Sequence, residues 1–400
     1  MLSLNAAQQA ILTQIKPAQE TEFVPLLGAV GRFVANELCA RVDNPAFDNS
    51  AMDGYAIKHS DLAAQNYLLP LAGASSCGSA PVKLASGTTM RIFTGAPMPD
   101  GADTVVMQEE IQTQGDRIVF KRDVRLGENL RYRGEDFRAN DVLYQSGRRL
   151  TVYDLALLSA AGVAEVPVYR RARVLVVATG DELVAPGTPL RPGQIYESNR
   201  LATLLQLQAL GVTAIDGGTV RDDITALRAL LKDAADYDFV ITSGGASVGD
   251  HDLVKQIFAE IGEINFWKAK IKPGKPIAFG LIGARTHFFA LPGNPVSSLV
   301  TFKLFVEPAL TAWHHAQPYQ MEISARAVNA FQRQPGRMEF VRAYLHTERG
   351  QLLATALPGQ GSHMLGTLKN TNGLIRVAED SAGFDVGEEV TVTPLRLDLG

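Results

Sequence analysis

Three short polar loops, each directly after an apolar β-like run, carry the residues best suited to chemistry. TGDE at 179–182 follows RVLVVAT, Arg221, Asp222 and Asp223 follow VTAIDGG, and SGGASVGDHD follows YDFVIT. Ligands of an open parallel sheet bind outside the carboxyl ends of its strands, so the three loops predict one site. The third loop holds Ser243, Gly244, Gly245, Ser247 and Gly249 ahead of a helical run. Glycine admits close backbone approach, and free N–H groups at a helix start attract an anion. The same residues would equally serve a tight strand-to-helix turn. Glu182, Asp222 and Asp252 supply carboxylates at the three strand ends. Such a set suits Mg²⁺, which takes one or two carboxylates plus waters and phosphate oxygens. A helix dipole that favours acids accounts for Asp222 as well as a metal does.

Other signals are weaker alone. Lys272-Pro-Gly-Lys275-Pro sets two ammonium groups around a turn, either an oxyanion clamp or an exposed turn with solvated lysines. NPAFDNSAMDGYA clusters Asp48, Asn49, Ser50 and Asp53, which an Asx-turn loop would also explain. RYRGED combines Arg131, Arg133, Glu135 and Asp136 in a charge run, and TGAPMPDGAD, opening at Thr94, is a proline-stiffened loop. Residues 244–249 match GxxxxG but continue Asp-His where a Walker loop needs Lys-Ser/Thr, and no GxGxxG follows an early strand. That pattern disfavours a P-loop NTPase and a Rossmann dehydrogenase.

The elements that must position these residues fall into three regimes of periodicity. Up to about residue 170, helical stretches at 6–15 and 152–161 bracket short strands such as DTVVMQ and RIVFK, which predicts α+β with one part inserted into another. From about 172 to 312, strands and helices alternate. RVLVVAT precedes a helix opening at Ser198 and stopping at Gly211, VTAIDGG precedes an amphipathic helix DDITALRALLKDA, and YDFVITSGG precedes DLVKQIFAEIG. A later helix over 295–306 completes a doubly wound α/β unit. From 320 to 400, the runs MEFVRAYLHT, QLLATALP, LIRVAED and EEVTVTPL predict a small all-β barrel or sandwich.

Composition sets the outer bounds. At roughly 150 residues per domain, 400 residues make about two to four domains. A hydrophobic share of 46% with 20% charged residues excludes disorder as the main state. Lys plus Arg is 38 against 42 Asp plus Glu, a net charge of −4, so the surface as a whole is no phosphate-backbone binder and nucleic acid is not the expected partner. Cys39 and Cys77 form no CxxC or Cys/His cluster, which fits a reducing cytosol. The first twenty residues lack a basic start followed by an apolar run, and no stretch approaches ~18 apolar residues, so a soluble, unexported chain away from membranes is expected.

Taken in order, DNSAMDGYA, FTGAPMPDGADTVVMQEE, GENLRYRGEDF, TGDEL, GQIYESN, SGGASVGDHD, KPGKPIAFG and LPGNPVSS resemble the molybdopterin molybdenumtransferase family, the MoeA and gephyrin E-domain type. The resemblance covers nearly the whole chain. It departs at Ala246, where the family's usual pattern is SGGVS. It implies an N-terminal discontinuous domain (1–48 and 136–170), an inserted α+β domain (49–135), a molybdopterin-binding α/β domain (171–315) and a C-terminal β-barrel domain (320–400). It also implies an elongated homodimer, with a cleft between the inserted domain of one subunit and the last two domains of the other.

The implied reaction inserts molybdate into the dithiolene of adenylylated molybdopterin, with Mg²⁺-dependent release of AMP, to give molybdenum cofactor. Matched by motif, Asp53, Thr94, Arg131, Asp136, Glu182, Asp222, Asp252, Lys268, Lys272, Pro292 and Pro295 occupy functional positions. Lys272, Lys275, Ser297, Arg337 and Ser362 form the implied oxyanion-handling set. The two thiols would belong to the substrate, which explains metal–sulfur chemistry in a chain with two unremarkable cysteines. Implied partners are a second copy of the chain and, transiently, the molybdopterin adenylyltransferase and cofactor-accepting molybdoenzymes in the cytoplasm. A pterin-binding scaffold without chemistry of its own is the alternative.

Overall fold

The computed structural model describes residues 1–221, 223, 225, 228–229, 231, 233–244, 262–283, 285–318 and 321–395. Asp222, Gly245, Ala246, Ser247, Gly249 and Asp252 lie outside the described residues, as do most of the expected helices DDITALRALLKDA and DLVKQIFAEIG.

Strand Arg173–Thr179 begins and ends where the RVLVVAT run does. It sits inside a six-stranded sheet, in the order Thr213–Val220, Arg173–Thr179, Phe239–Ser243, Thr286–Leu291, Pro276–Ile282 and Gly262–Lys268. The first four strands run parallel, as the alternating pattern predicts. Pro276–Ile282 is the single reversed strand, paired antiparallel to both neighbours. Its reversal follows from the connection: only 283–285 separate it from Thr286–Leu291, too few residues for the crossover that a parallel pair needs. The sheet is therefore mixed rather than purely parallel.

Helix Asn199–Leu210 follows the first strand and ends at Gly211, whose φ of 80° gives the left-handed C-cap. Ser198 holds the N-cap position, but its side chain makes no capping bond. The buried Glu197 carboxylate accepts from the Arg200 amide at 2.6 Å instead. The helix expected over 295–306 is longer, running as Pro295–Thr301, a π-helical turn Phe302–Val306, and Glu307–Trp313. Its apolar face joins one side of the sheet in the largest core, with Val174, Val176, Phe239, Phe289, Val300, Phe305 and Trp313.

Beyond residue 320, five strands close into a barrel. The eleven-residue strand Met338–Glu348 pairs with Gln351–Ala356 on one side and Gly373–Val377 on the other, while Ile323–Ala327 and Glu389–Pro394 complete the circuit. Val341, Ala343 and Leu345 alternate into the barrel core. Phe340, of opposite parity, packs instead into the core of the α/β sheet.

The N-terminal helix Leu4–Leu12 also packs there through Leu4, Ala7 and Ile11. Thr21–Pro25 pairs with Glu165–Tyr169, and Leu38–Cys39 with Val142–Tyr144, so early and late parts of the first 170 residues fold together. Between them the chain leaves and returns through the ladder of Asn49–Ser50 with Leu130–Arg131. The excursion carries its own six-stranded sheet, from Gly54–Ile57 to Arg117–Phe120 in sequence, with separate cores around Ile57, Leu69, Val106 and Ile118 and around Ala56, Ile92 and Val105.

Two histidines seal the junction of the N-terminal segment with the sheet. His287 is fully buried; its Nε2 accepts the Lys16 amide at 3.0 Å and its Nδ1 faces the Asp238 carbonyl at 3.2 Å. His314 stacks on Phe33 at 4.6 Å. Burial pushes both pKa values down to about 4. Both are therefore neutral in the fold but protonate near 6.5 when unfolded, so their contribution is complete above pH 6.5 and lost as pH falls toward 4. Urea unfolding should show stability dropping across that window, on the order of 3 kcal/mol per histidine. His287→Asn should flatten the pH dependence, and an unchanged slope would show that other groups carry it.

Candidate functional site

Two adjoining cavities open at the carboxyl ends of the parallel strands. One, of about 470 Å³, is lined by Thr179, Glu182, Ser243, Gly244, Pro295 and His363 among others. The other, of about 610 Å³, is lined by Lys272, Lys275, Pro292, Ser297, Arg337 and Ser362, again with Glu182. Glu182, Ile195, Gly293 and Asn294 belong to both walls, so the two form one continuous cleft.

The floor of the cleft is fixed by backbone packing. Gly244 has φ +101°, and a Cβ there would stand 2.7 Å from Thr179 Oγ1 and 2.8 Å from Thr179 O. Only glycine fits so close to the neighbouring strand end. The Thr179 hydroxyl is buried without a hydrogen-bond partner among the described residues. Glu182 is carried by a short parallel ladder in which Ile195 donates to the Glu182 carbonyl at 2.9 Å.

The cationic wall comes from three separate pieces of chain. Ile271–Lys272 is a two-residue strand parallel to the barrel strand, with Lys272 opposite Glu339. Lys272 Nζ lies 2.9 Å from the buried Glu339 carboxylate, and Arg333 stands 3.8 Å from its other oxygen. Gly274, at φ +102°, lets the turn press on the long helix; a Cβ would meet Thr301 Cγ2 at 2.5 Å. Arg337 donates to the Ile271 carbonyl at 3.4 Å, and the Val296 amide donates to the Ser362 carbonyl at 3.0 Å. Lys272, Lys275 and Arg337 thus face one exposed carboxylate, Glu182, in a cleft suited to a compact anion. The reading of Lys272 as a turn lysine free in solvent gives way to an ion pair between its half-exposed side chain and a buried carboxylate, which no sequence pattern flags; the sequence does not point to Glu339 or Arg333 at this site.

Other expected residues lie elsewhere. Lys268 ends the edge strand Gly262–Lys268, exposed and outside both cavity walls. Asp53 Oδ1 accepts from the Thr94 amide at 2.8 Å and the Thr94 hydroxyl at 2.9 Å. These two bonds, the backbone one foremost, hold the Asp53 carboxyl below the usual range, with Arg91 assisting. Arg131 sits in the ladder opposite Asn49, and Asp136 accepts from Asn44 Nδ2 at 2.9 Å. Asp53, Thr94, Arg131 and Asp136 line neither cavity. Cys77 donates its thiol to the Thr94 carbonyl at 3.2 Å, a contact that no sequence pattern signals.

The molybdopterin molybdenumtransferase of Haemophilus influenzae is 38% identical over 406 residues, with 100% of each chain covered. The chain belongs to the molybdopterin molybdenumtransferase family. Family models match along its length: the MoeA N-terminal region (domain I and II) at 2–162, a probable molybdopterin binding domain at 175–312, and the MoeA C-terminal region (domain IV) at 324–395. Molybdopterin molybdenumtransferase 2 of Mycobacterium tuberculosis is 36% identical, covering 97% of this chain and 98% of its own. The molybdopterin biosynthesis MoeA protein of Pyrococcus horikoshii shares the fold with a TM-score of 0.84 at 31% identity, over 98% of this chain and 100% of that one. Both molybdopterin-binding and barrel matches contribute to the cleft, since Lys272 and Arg337 fall in different ones.

Thr94→Val removes one of the two donors to Asp53 and leaves the backbone amide. The Asp53 pKa should rise toward its ordinary value, read by carboxyl ¹³C titration. No movement would assign the whole depression to the amide.

Proposed function

We propose that this chain inserts molybdate into the dithiolene of adenylylated molybdopterin, releasing AMP and giving molybdenum cofactor. As a member of its family it is a transferase of molybdenum cofactor biosynthesis. The observation that carries the substrate assignment is the convergence of Lys272, Lys275, Ser297, Arg337 and Ser362 on one cavity beside Glu182. Molybdate is a tetrahedral dianion. Ammonium, guanidinium and hydroxyl donors bind such an ion by charge-assisted hydrogen bonds, and Lys275 and Arg337 would supply two of them from the wall of this cavity. Glu339 orients Lys272 and shares its charge. Ser243 and Gly244 line the adjoining part of the cleft, where the phosphates of the substrate would lie. Pro292 and Pro295 stiffen the loop between the two halves.

Among the described residues no group of three or more His, Cys, Asp or Glu could hold a metal. The donors present still fit Mg²⁺, whose usual shell is one or two protein oxygens completed by water and phosphate. Glu182 and the unpartnered Thr179 hydroxyl line the same cavity, and Asp222 and Asp252 are the further proposed ligands. Bound there, Mg²⁺ would neutralise the substrate phosphates and stabilise the departing AMP.

The active unit we propose is a homodimer in the cytosol. Asp53, Thr94, Arg131 and Asp136 stand apart from the cleft of their own chain, and in the proposed dimer a second chain brings such a set to it. Phe23, Leu27, Val152 and Tyr153 are exposed apolar side chains of the N-terminal part, available for such a contact. Among the described residues no helix is long and apolar enough to cross a membrane. Transient partners would be the adenylyltransferase that supplies the substrate and the molybdoenzymes that take the product. The domain division that goes with this reading is 1–48 with 136–170, 49–135, 171–315 and 320–400.

AMP release measured with and without molybdate and Mg²⁺ tests the reaction directly; release that needs neither would overturn it. Lys275→Ala should weaken molybdate binding about ten- to a hundred-fold, the loss of one charge-assisted hydrogen bond, while adenylylated molybdopterin binds nearly as before. Equal calorimetric loss for both ligands would place Lys275 on the substrate phosphate. Mixing Asp53→Ala with Glu182→Ala chains should restore part of the activity through the one intact site of the mixed dimer. Verified subunit exchange without recovery would sink the shared site.

A further inference from the structure

Where the barrel meets the cleft, a side chain takes the place of backbone. Strand Met338–Glu348 pairs antiparallel with Gln351–Ala356, with Ala343 opposite Ala356, so the next rung sets Arg342 opposite Leu357. In a hydrogen-bonded rung the two residues normally exchange both bonds directly. Here the Leu357 amide donates to the Arg342 carbonyl at 2.9 Å, and the return bond runs through Gln360. Its Oε1 accepts the Arg342 amide at 2.9 Å, and its Nε2 donates to the Leu357 carbonyl at 2.7 Å and to the Arg342 carbonyl at 3.0 Å. The side-chain amide thus stands in for a peptide unit at the point where the strand ends.

Gln360, Gly361 and Ser362 then form part of the wall of the larger cavity, which Lys272, Lys275, Ser297 and Arg337 also line. Residues 357–362 belong to no strand or helix and include two glycines, so on their own they would sample many conformations. Their other fastenings also reach the surroundings of the site. Arg342 Nη2 donates to the carbonyls of Gly359 and Gly361 at 2.6 and 3.1 Å, and the amide of Val296, next to Ser297, donates to the Ser362 carbonyl at 3.0 Å. Both N–H groups of the Gln360 amide are committed to the strand and its end, so it offers no donor to a bound anion. We propose that Gln360 is a positioning residue of the reaction site, acting through Ser362. A hydroxyl held in place before binding loses less freedom when the ion arrives, and the splice into the strand secures that. The inference rests on the reading of Ser362 as an oxyanion donor and adds the side chain that holds it.

Molybdate alone, titrated calorimetrically into the full chain, reads the effect. Ser362→Ala should weaken binding about ten- to a hundred-fold, and Gln360→Met, similar in length but without the amide, about tenfold. In a Ser362→Ala background Gln360→Met should cost less than about twofold more, whereas in a Lys275→Ala background, on another piece of chain, the loss of about tenfold should return in full. A role confined to general stability would repeat the loss in both backgrounds. Gln360→Glu keeps the acceptor for the Arg342 amide but turns a carboxylate oxygen toward two carbonyls; it should follow the same pattern, and it serves where the methionine variant does not fold. Undiminished binding in the Gln360 variants, or equal losses in both backgrounds, would overturn the proposal and leave Ser362 as a donor. Unchanged binding in Ser362→Ala would overturn the reading of Ser362 and the proposal with it.

Discussion

The arrangement of the cleft depends on one small junction, the parallel pairing of Ile271–Lys272 with the start of the barrel strand Met338–Glu348. Those two residues lie between Gly262–Lys268 and Pro276–Ile282, two paired strands of the α/β sheet. Sheet and barrel are therefore joined by backbone hydrogen bonds as well as by side-chain packing. Ile271 is fully buried in the main core, Phe340 enters that core from the barrel, and the Glu339 carboxylate between them is 4% exposed. Lys272, with Arg333 behind it, gives the buried Glu339 carboxylate the charge partners that a buried carboxylate needs. The ion pair and the strand pairing thus enforce each other, and the turn that follows carries Lys275 to a fixed position over the long helix.

Because the junction is internal to the chain, the cationic wall of the cleft is assembled from parts distant in sequence. Lys272 and Lys275 come from the sheet, Ser297 from the helix, and Arg337 and Ser362 from the barrel. Charge is graded along that wall. Lys272 spends part of its field on Glu339, whereas among the described residues the Arg337 side chain has one hydrogen-bond partner, the Ile271 carbonyl at 3.4 Å.

Local pattern made the strands of this fold legible. Arg173–Thr179 matches its apolar run at both ends, and Met338–Glu348, Gln351–Ala356 and Glu389–Pro394 follow the alternating segments. Gly211 read correctly as a helix stop because a left-handed cap is a local property. Pairing is not local. The reversed strand Pro276–Ile282 has the same apolar composition as a parallel one, and closure of the barrel through Gly373–Val377 leaves no mark on either partner's sequence. For the same reason Glu339 and Arg333 read as ordinary strand and loop charges, although one of them faces Lys272. Motif resemblance located Lys275, Ser297, Arg337 and Ser362, which spacing alone would not have connected. The expected contribution of Asp222 and Asp252 falls on residues outside those described.

The position of the Asp53–Thr94 pair bears on how the proposed enzyme is organised. Asp53 is held ionised by two donors on one neighbour, a structure that exposed loops rarely maintain without a task. The Thr94 carbonyl beyond it receives the Cys77 thiol, and Arg91 reaches the Gly54 carbonyl at 3.0 Å while lying over Tyr55 and Phe93. The loop is thus braced from both sides and presents its carboxylate outward rather than into its own sheet. A preorganised, outward-facing carboxylate contributes to chemistry only if a substrate held elsewhere is brought to it. A hinge could do so within one chain, but motion would cost the fixed geometry that the bracing creates. A second chain docked rigidly would supply the same group without that loss, which is the physical reason to favour the shared site over a closing one.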